Sequence, residues 1–231
     1  MGRLVTFATS VRFLEAKMDL VEAMRTQGTC RYFQDREVPD DVLFRAFDSA
    51  RFGPQGGNRQ PVRFIVVRDK QKRQALKDWY IGPWRAYLAG IGSGEVRAGA
   101  LDKTVQAADY FAEHLEEVPA LVVVCAEVDG LHPTDAGLGR ISVVGGGSIY
   151  PIVQNFLLAA RAEGLGTALT TLLCISEPQV KELLNVPDGF ITAATIAVGW
   201  PLNPFPTKLT RMEVSDMVRV DGFDGRSLSR D

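Results

Sequence analysis

With 231 residues, 46% hydrophobic and 23% charged, the chain has the composition of one globular domain large enough to bury a core. A formal net charge of −2 gives no general attraction for nucleic acid or for an anionic membrane. Three scattered cysteines and two histidines, with no CxxC or HxxxH pairing, argue against a zinc site or a disulfide framework and fit a reducing, cytoplasmic setting.

The opening MGRLVTFATSVRFLEAK is mildly apolar, but Arg12 interrupts it and no small-residue cleavage pattern follows. Residues 1–17 are therefore expected to form an arm or helical extension rather than a signal peptide. No apolar run reaches the ~20 residues that span a bilayer. Residues 18–231 then read as a single domain. MDLVEAMRTQ (18–27) places Leu20, Val21 and Met24 on one helical face. VPDDVLFRAFDSARF (38–52) opens with Pro39 and Asp40, which suit a helix start, and carries a stripe of Val42, Leu43, Phe47 and Ala50. GPQGGNRQP (53–61) is a glycine turn that leads into the β-branched strand VRFIVVRD (62–69), and DKQKRQALKDWY continues as a helix.

Residues 81–118 form a long excursion between strands. It opens on a Gly/Pro/Trp segment, crosses a flexible GIGSGE stretch and ends in a helix near 103–116. Such an excursion is where a cover for a site would sit, and its aromatics Trp84, Tyr87, Tyr110 and Phe111 serve equally well as packing. PALVVVCAEVDG (119–130) is apolar throughout, so both faces of the sheet are expected to be covered. In SIYPIVQNFLLAARAEG (148–164), Ser148 can cap a helix, Pro151 fits its first turn and Gly164 can stop it. A short strand and loop in GTALTTLLC, a helix in EPQVKELLNV and a strand in FITAATIAVGWP (190–201) follow. The tail from residue 202 is polar and Pro-broken, as expected of an extension that wraps another subunit. The class is α+β or α/β, with helices on both faces of a mixed sheet.

A G-x-S-x-G pentad and a P-loop are both missing, and GLGTAL (164–169) follows a helix rather than a strand, a poor dinucleotide fingerprint. GGGS (145–148) could hold an anion before a helix or simply make a turn. With no obvious nucleophile, base or metal ligand set, a cofactor is the natural carrier of any chemistry. RTQGTCRYF (25–33) and TKLTR (207–211) supply cations and hydroxyls, while GPQGGNRQP supplies amides and bare backbone. These suit a ligand with an anionic tail and a flat head with hydrogen-bonding edges.

In this order the segments resemble the FMN-dependent nitroreductase family. Its members show an R-S-x-R-x-F segment, a VP helix start and P-S-G-x-N-x-Q-P-W before a strand; GLGTALTTL, GWP and a basic tail with Arg211 ahead of MEVSDMV match later landmarks. The resemblance, over residues 18–218, implies an α+β homodimer with two FMN sites across the subunit interface. It implies Arg31 and Arg211 on the FMN phosphate with Lys208 nearby, and Thr29 at a phosphate- or ribityl-binding position. It also implies a flavin-facing loop of Pro54, Gln55, Gly56 and Asn58, the Asn58 amide both donating to and accepting from the pyrimidine edge. Gly56 and Gly57 would leave room for the ring and Gln60 would support the loop. Thr170, Thr171 and the backbone N–H of Leu172 would lie near the flavin N5, with Thr171 or solvent supplying protons.

The pattern is not complete. Gln27 replaces a usual arginine, Gln55 a serine, Val62 a tryptophan and Leu172 a proline found in some branches. Gln27 removes a positive charge, which Arg25 could restore only if the backbone turns there. The implied activity is NAD(P)H-dependent reduction of nitroaromatic, quinone or similar acceptors in two half-reactions. A reductive dehalogenase, a flavin-fragmenting enzyme, a specific dehydrogenase and a non-catalytic FMN-binding protein are the alternatives. No metal site is expected.

Overall fold

The computed structural model describes residues 18–93 and 102–229. The expected N-terminal arm, residues 1–17, lies outside them. In chain order the elements are α1 (Leu20–Thr26), α2 (Asp40–Ala50), β1 (Val62–Val67), α3 (Lys70–Ser93), α4 (Asp102–Glu113) and β2 (Ala120–Glu127). They continue with α5 (Tyr150–Ala162), β3 (Gly166–Thr170), α6 (Glu177–Leu184), β4 (Phe190–Gly199) and the short α7 (Val214–Met217). The architecture is α+β, as expected.

The sheet runs β1-β2-β4-β3, and all three pairings are antiparallel. The expected mixed sheet is thus corrected: the only parallel pairing among the described residues is an isolated bridge between Thr29 and Thr167. β1 to β2 and β3 to β4 are antiparallel returns, whereas β2 and β3, each antiparallel to β4, run in the same sense on either side of it. β2 is buried along nearly its whole length because both its faces are covered. Val122, Val124 and Ala126 pack with α2 and α5, whereas Leu121, Val123 and Cys125 pack with α3 and α4. The alternation is the period-2 pleat expressed as two cores on one sheet. On β4 the register shifts so that Val124 faces Ala194 and Cys125 faces Thr192, leaving Ala193 as the extra residue of a bulge. Glu177, at the start of α6, accepts from Thr192 N at 2.5 Å and from Thr192 Oγ1 at 2.9 Å, which ties down the strand there.

Four local expectations are revised. α1 forms, capped by Asp19 Oδ1 accepting from Val21 N and Glu22 N, but only Ala23 of this helix is buried. Leu20, Val21 and Met24 lie more than half exposed in the single chain. α3 does not break at the Gly/Pro/Trp segment; it runs through Pro83, because Leu76, Tyr80 and Trp84 are buried on the same side against the sheet. This packing overrides the local bias of proline against helix. Gly90–Ser93 of the GIGSGE stretch belong to α3, and its last two residues lie outside the described ones. Ser148 does not cap α5, which starts at Tyr150 with Pro151 in its first turn and stops at Gly164, φ +83°.

Phe156 is fully buried and stacks on Phe47 at 4.4 Å between ring centroids, with Phe64 at 6.0 Å. It joins α5 to α2 and β1. Phe156→Ala is expected to cost about 3–5 kcal/mol. Urea unfolding of the two proteins measures this, and a loss under about 1 kcal/mol would contradict the packing described.

Candidate functional site

The site starts where α1 ends. Gln27, with ψ 90°, terminates the helix and its backbone N–H reaches only Ala23 O. The chain then extends beside β3, with Cys30 N donating to Thr167 O at 2.8 Å. In extended backbone, residues two apart share a face. Thr29 and Arg31 accordingly line one cavity of about 330 Å³ together with Thr170, Thr171 and Leu172. Tyr80, Trp84 and Tyr87 of α3 and Phe111 of α4 form its aromatic wall. The spacing 80, 84, 87 is one helical face, a signal in the sequence that would have added Tyr80 to the candidates. Trp84 and Tyr87 stack at 5.7 Å, and Trp84 Nε1 donates to Asp109 Oδ1 at 2.8 Å, linking α3 to α4. The excursion thus contributes wall as well as packing, since Trp84 and Phe111 belong to the core too.

Arg31 is half-buried, and no carboxylate among the described residues lies within salt-bridge distance of it. Burial pulls its guanidinium below the ordinary value, with partial relief from Tyr80 and Tyr32. A desolvated cation in a cavity, lacking an internal counter-ion, is a group suited to an anionic ligand. Thr170 Oγ1 lies 3.4 Å from Tyr80 Oη and accepts from Leu172 N at 3.3 Å. The Leu172 N–H expected to face a ligand therefore has a partner inside the chain.

The tail approaches from the other side. Leu202 N donates to Tyr32 O, Gln34 N to Trp200 O, and the Phe205 ring lies 3.7 Å from the buried Arg161 guanidinium. A methyl group at Gly28 would stand 3.0 Å from Pro206 Cγ and 3.4 Å from Leu209 Cδ2, so Gly28 is small because the tail crosses it. That crossing sets Pro206 and Leu209 of the tail against Gly28, the residue after Gln27. Lys208 and Arg211 are both exposed, and Arg211 Nη1 donates only to Thr210 O. Arg25 stays in the last turn of α1 and lines neither this cavity nor the one beside Gly28.

The loop of Pro54, Gln55, Gly56 and Asn58 is not part of the Arg31 cavity. It leads into β1, at the opposite edge of the sheet from β3, three inter-strand spacings or about 14 Å away. Gly53 abuts the backbone of Ile152, where a methyl group would come within 2.6 Å of Cα. Gly56 N donates to Ser148 Oγ at 2.9 Å, so the residue expected to cap α5 instead holds this loop, 92 positions away. Gly57, Asn58 and Gln60 have φ of +60°, +52° and +53°. For the two non-glycine residues such backbone costs on the order of 1 kcal/mol each. Gly57 is thus explained by its own backbone and Gly56 by Ser148. Gln55 turns into a second cavity between α2 and β1, where its Oε1 is buried without a hydrogen bond.

Ser148 closes a loop that begins with Asp135. That carboxylate, 5% exposed, accepts from Ser142 Oγ at 2.6 Å, Val143 N at 3.1 Å and Arg140 Nη1 at 2.8 Å. These bonds, Ser142 first, hold its pKa down to about 2. The lowered value means a stabilisation complete above the ordinary carboxylate range and lost as pH falls toward about 2. The stability gap between the natural protein and Asp135→Asn should therefore close over that interval in urea titrations at stepped pH. A gap independent of pH would contradict the assignment. Among the described residues no group of three or more His, Cys, Asp and Glu side chains could hold a metal, and no helix is long and apolar enough to cross a membrane.

The model of the Nitroreductase family matches residues 24–200. A Methanothermobacter thermautotrophicus protein described as NADH dehydrogenase/NAD(P)H nitroreductase is 26% identical over 188 residues, covering 80% of this chain and 79% of that protein. The 5,6-dimethylbenzimidazole synthase of Rhodospirillum rubrum is 29% identical over 189 residues, covering 76% and 79%. The structure of an oxidised iodotyrosine deiodinase bound to FMN and 3-iodo-L-tyrosine superposes with a TM-score of 0.66 at 24% identity, covering 89% of this chain and all of that one. With the family model spanning most of its length, the chain belongs to the nitroreductase family.

Proposed function

We propose that this protein is an FMN-dependent oxidoreductase that takes reducing equivalents from NAD(P)H and reduces electron-poor acceptors such as nitroaromatics or quinones. The observation that carries this reading is Arg31: a half-buried cation with no counter-ion among the described residues, in one cavity with Thr29, Thr170 and Thr171 under an aromatic wall. The donor set fits the cofactor. Arg31, Lys208 and Arg211 would hold the phosphate, the guanidinium fork matching its oxygens, with Thr29 and the Gln27 amide alongside. Lys208, the residue before the Leu209 that packs at Gly28, would make good the charge that Gln27 lacks. The planar head would lie by Thr170, Thr171 and Leu172. When bound, FMN supplies hydride acceptance at N5 and passes the electrons to the acceptor; the chain's part is to bind, orient and exclude water. Thr171, exposed at the cavity, stands where a proton could be delivered.

The functional unit in this reading is a homodimer, each site completed by the Pro54–Asn58 loop of the second copy. Three features support it. The loop and the Arg31 cavity occupy opposite edges of the sheet in one chain. β1 has one unpaired edge among the described residues, and unpaired edges are normally covered. Large apolar side chains stand exposed on α1 (Leu20, Met24) and along the tail (Met212, Met217, Phe223), a surface expected of an interface. The tail, expected to wrap the partner from residue 202, packs on its own chain as far as Leu209, so only the part beyond Leu209 would reach the partner, and residues 18–231 would form one domain. Trp84 and Tyr87 over the cavity favour a flat aromatic acceptor. The deiodinase and benzimidazole-synthase relatives keep a metabolite-specific flavin enzyme as the second reading.

Purified protein should show visible flavin absorption, or acquire it on addition of FMN, and anaerobic NADH or NADPH should bleach it. Arg31→Ala and Arg211→Ala should each weaken FMN binding by about tenfold or more, consistent with the loss of a charge-assisted bond of about 1.5–3 kcal/mol. Fluorescence titration reads this directly. Colourless protein that takes up no FMN would overturn the proposal.

A further inference from the structure

The Asn58 side chain is held by a neighbour. Gln60 Nε2 donates to Asn58 Oδ1 at 3.1 Å, and both residues sit in left-handed backbone. That backbone is fixed from several directions. Asn58 N donates to Gln55 O at 3.0 Å, Arg63 Nη1 donates to Gln60 O at 2.8 Å, and Gly56 N is bonded to Ser148 Oγ. Pro61 O accepts from Glu127 N at 3.0 Å, anchoring the far end of the loop to β2. Asn58 itself is exposed, and its Nδ2 has no hydrogen-bond partner among the described residues.

From this arrangement we infer that Gln60 is a positioning residue that sets the orientation of the Asn58 carboxamide. With Oδ1 accepting from Gln60, both Nδ2 hydrogens stay unengaged while Oδ1 keeps one lone pair, so the amide offers its ligand donors ahead of its acceptor. The loop therefore favours an acceptor oxygen on its ligand. This narrows the sequence expectation that Asn58 both donates and accepts. The inference rests on the flavin reading above: the matching groups on that ligand are its pyrimidine carbonyl oxygens, and a fixed donor there favours a ligand state with more negative charge on oxygen.

The test is a double-mutant cycle in the full-length protein with FMN, reading the FMN dissociation constant and the midpoint potential of the bound cofactor. Gln60→Met keeps length and removes the donor. It should weaken FMN binding about tenfold and lower the ratio of reduced to oxidised affinity by up to about tenfold, or about 30 mV for a two-electron couple. In an Asn58→Ala background the same substitution should change neither quantity. Gln60→Glu, whose carboxylate would accept from Asn58 Nδ2 and turn the carbonyl outward, should lose more affinity than Gln60→Met. It also serves if the methionine variant fails to fold. A Gln60→Met protein with wild-type affinity and potential, or effects that add in the double mutant, would overturn the inference alone. A natural protein that binds no FMN would overturn the flavin reading and this inference together.

Discussion

Burial of β2 and β4 on both faces is the constraint from which the rest follows. Two central strands that carry α2 and α5 on one side and α3 and α4 on the other are apolar on both faces except for the buried Thr192 and Thr195 of β4. The charged and amide groups available to a ligand accordingly lie at the edges and ends of the sheet. Thr29, Arg31 and Thr170 gather at the β3 edge, and the 53–61 loop enters at the β1 edge. Each of the two clusters is held firmly by its own chain. The first is pinned by the tail across Gly28 and by Phe205 on Arg161, the second by Gly53 on α5 and by Ser148.

This separation of the two clusters bears directly on function. A single chain offers an anion-seeking cavity with an aromatic wall and, elsewhere, a rigid loop with an unused amide donor. Neither is a complete site for a molecule with a phosphate and a hydrogen-bonding flat head. Two copies related by a two-fold axis can bring unlike edges together, since a self-complementary interface joins patch i of one copy to patch j of the other. The exposed Leu20 and Met24 of α1, and Phe223 in the tail, supply apolar surface for such contact. The left-handed backbone at Asn58 and Gln60 is a cost kept in a part of the chain that contributes nothing to the core.

Much of this was legible in the sequence, for identifiable reasons. Val62–Val67, Ala120–Glu127 and Phe190–Gly199 announce themselves as strands by continuous apolar or β-branched runs, and α5 by its stripe, Pro151 and Gly164. Thr29, Arg31, Thr170, Thr171 and Leu172 are candidates through the family resemblance, and the fold brings them to one cavity. What escaped depends on contacts distant in sequence. The antiparallel order of the strands is set by how excursions return. The passage of α3 through Pro83 is set by burial of Tyr80 and Trp84. Ser148 looked like a cap because its nearest amides are those of α5, whereas its partner is Gly56. The small size of Gly28 is explained only by Pro206 and Leu209.

The central claim, that each flavin site joins the Arg31 edge of one copy to the Asn58 loop of another, is tested most directly by complementation. Arg31→Ala and Asn58→Ala chains, each weak in FMN binding as homodimers, are co-expressed with different tags and the heterodimer isolated. One of its two sites then has both wild-type halves and the other has neither. The account predicts tight binding of one FMN per heterodimer by fluorescence titration. A heterodimer in which every site binds as weakly as in the parent variants would place both residues in one chain's site, or Asn58 outside it, and contradict the account.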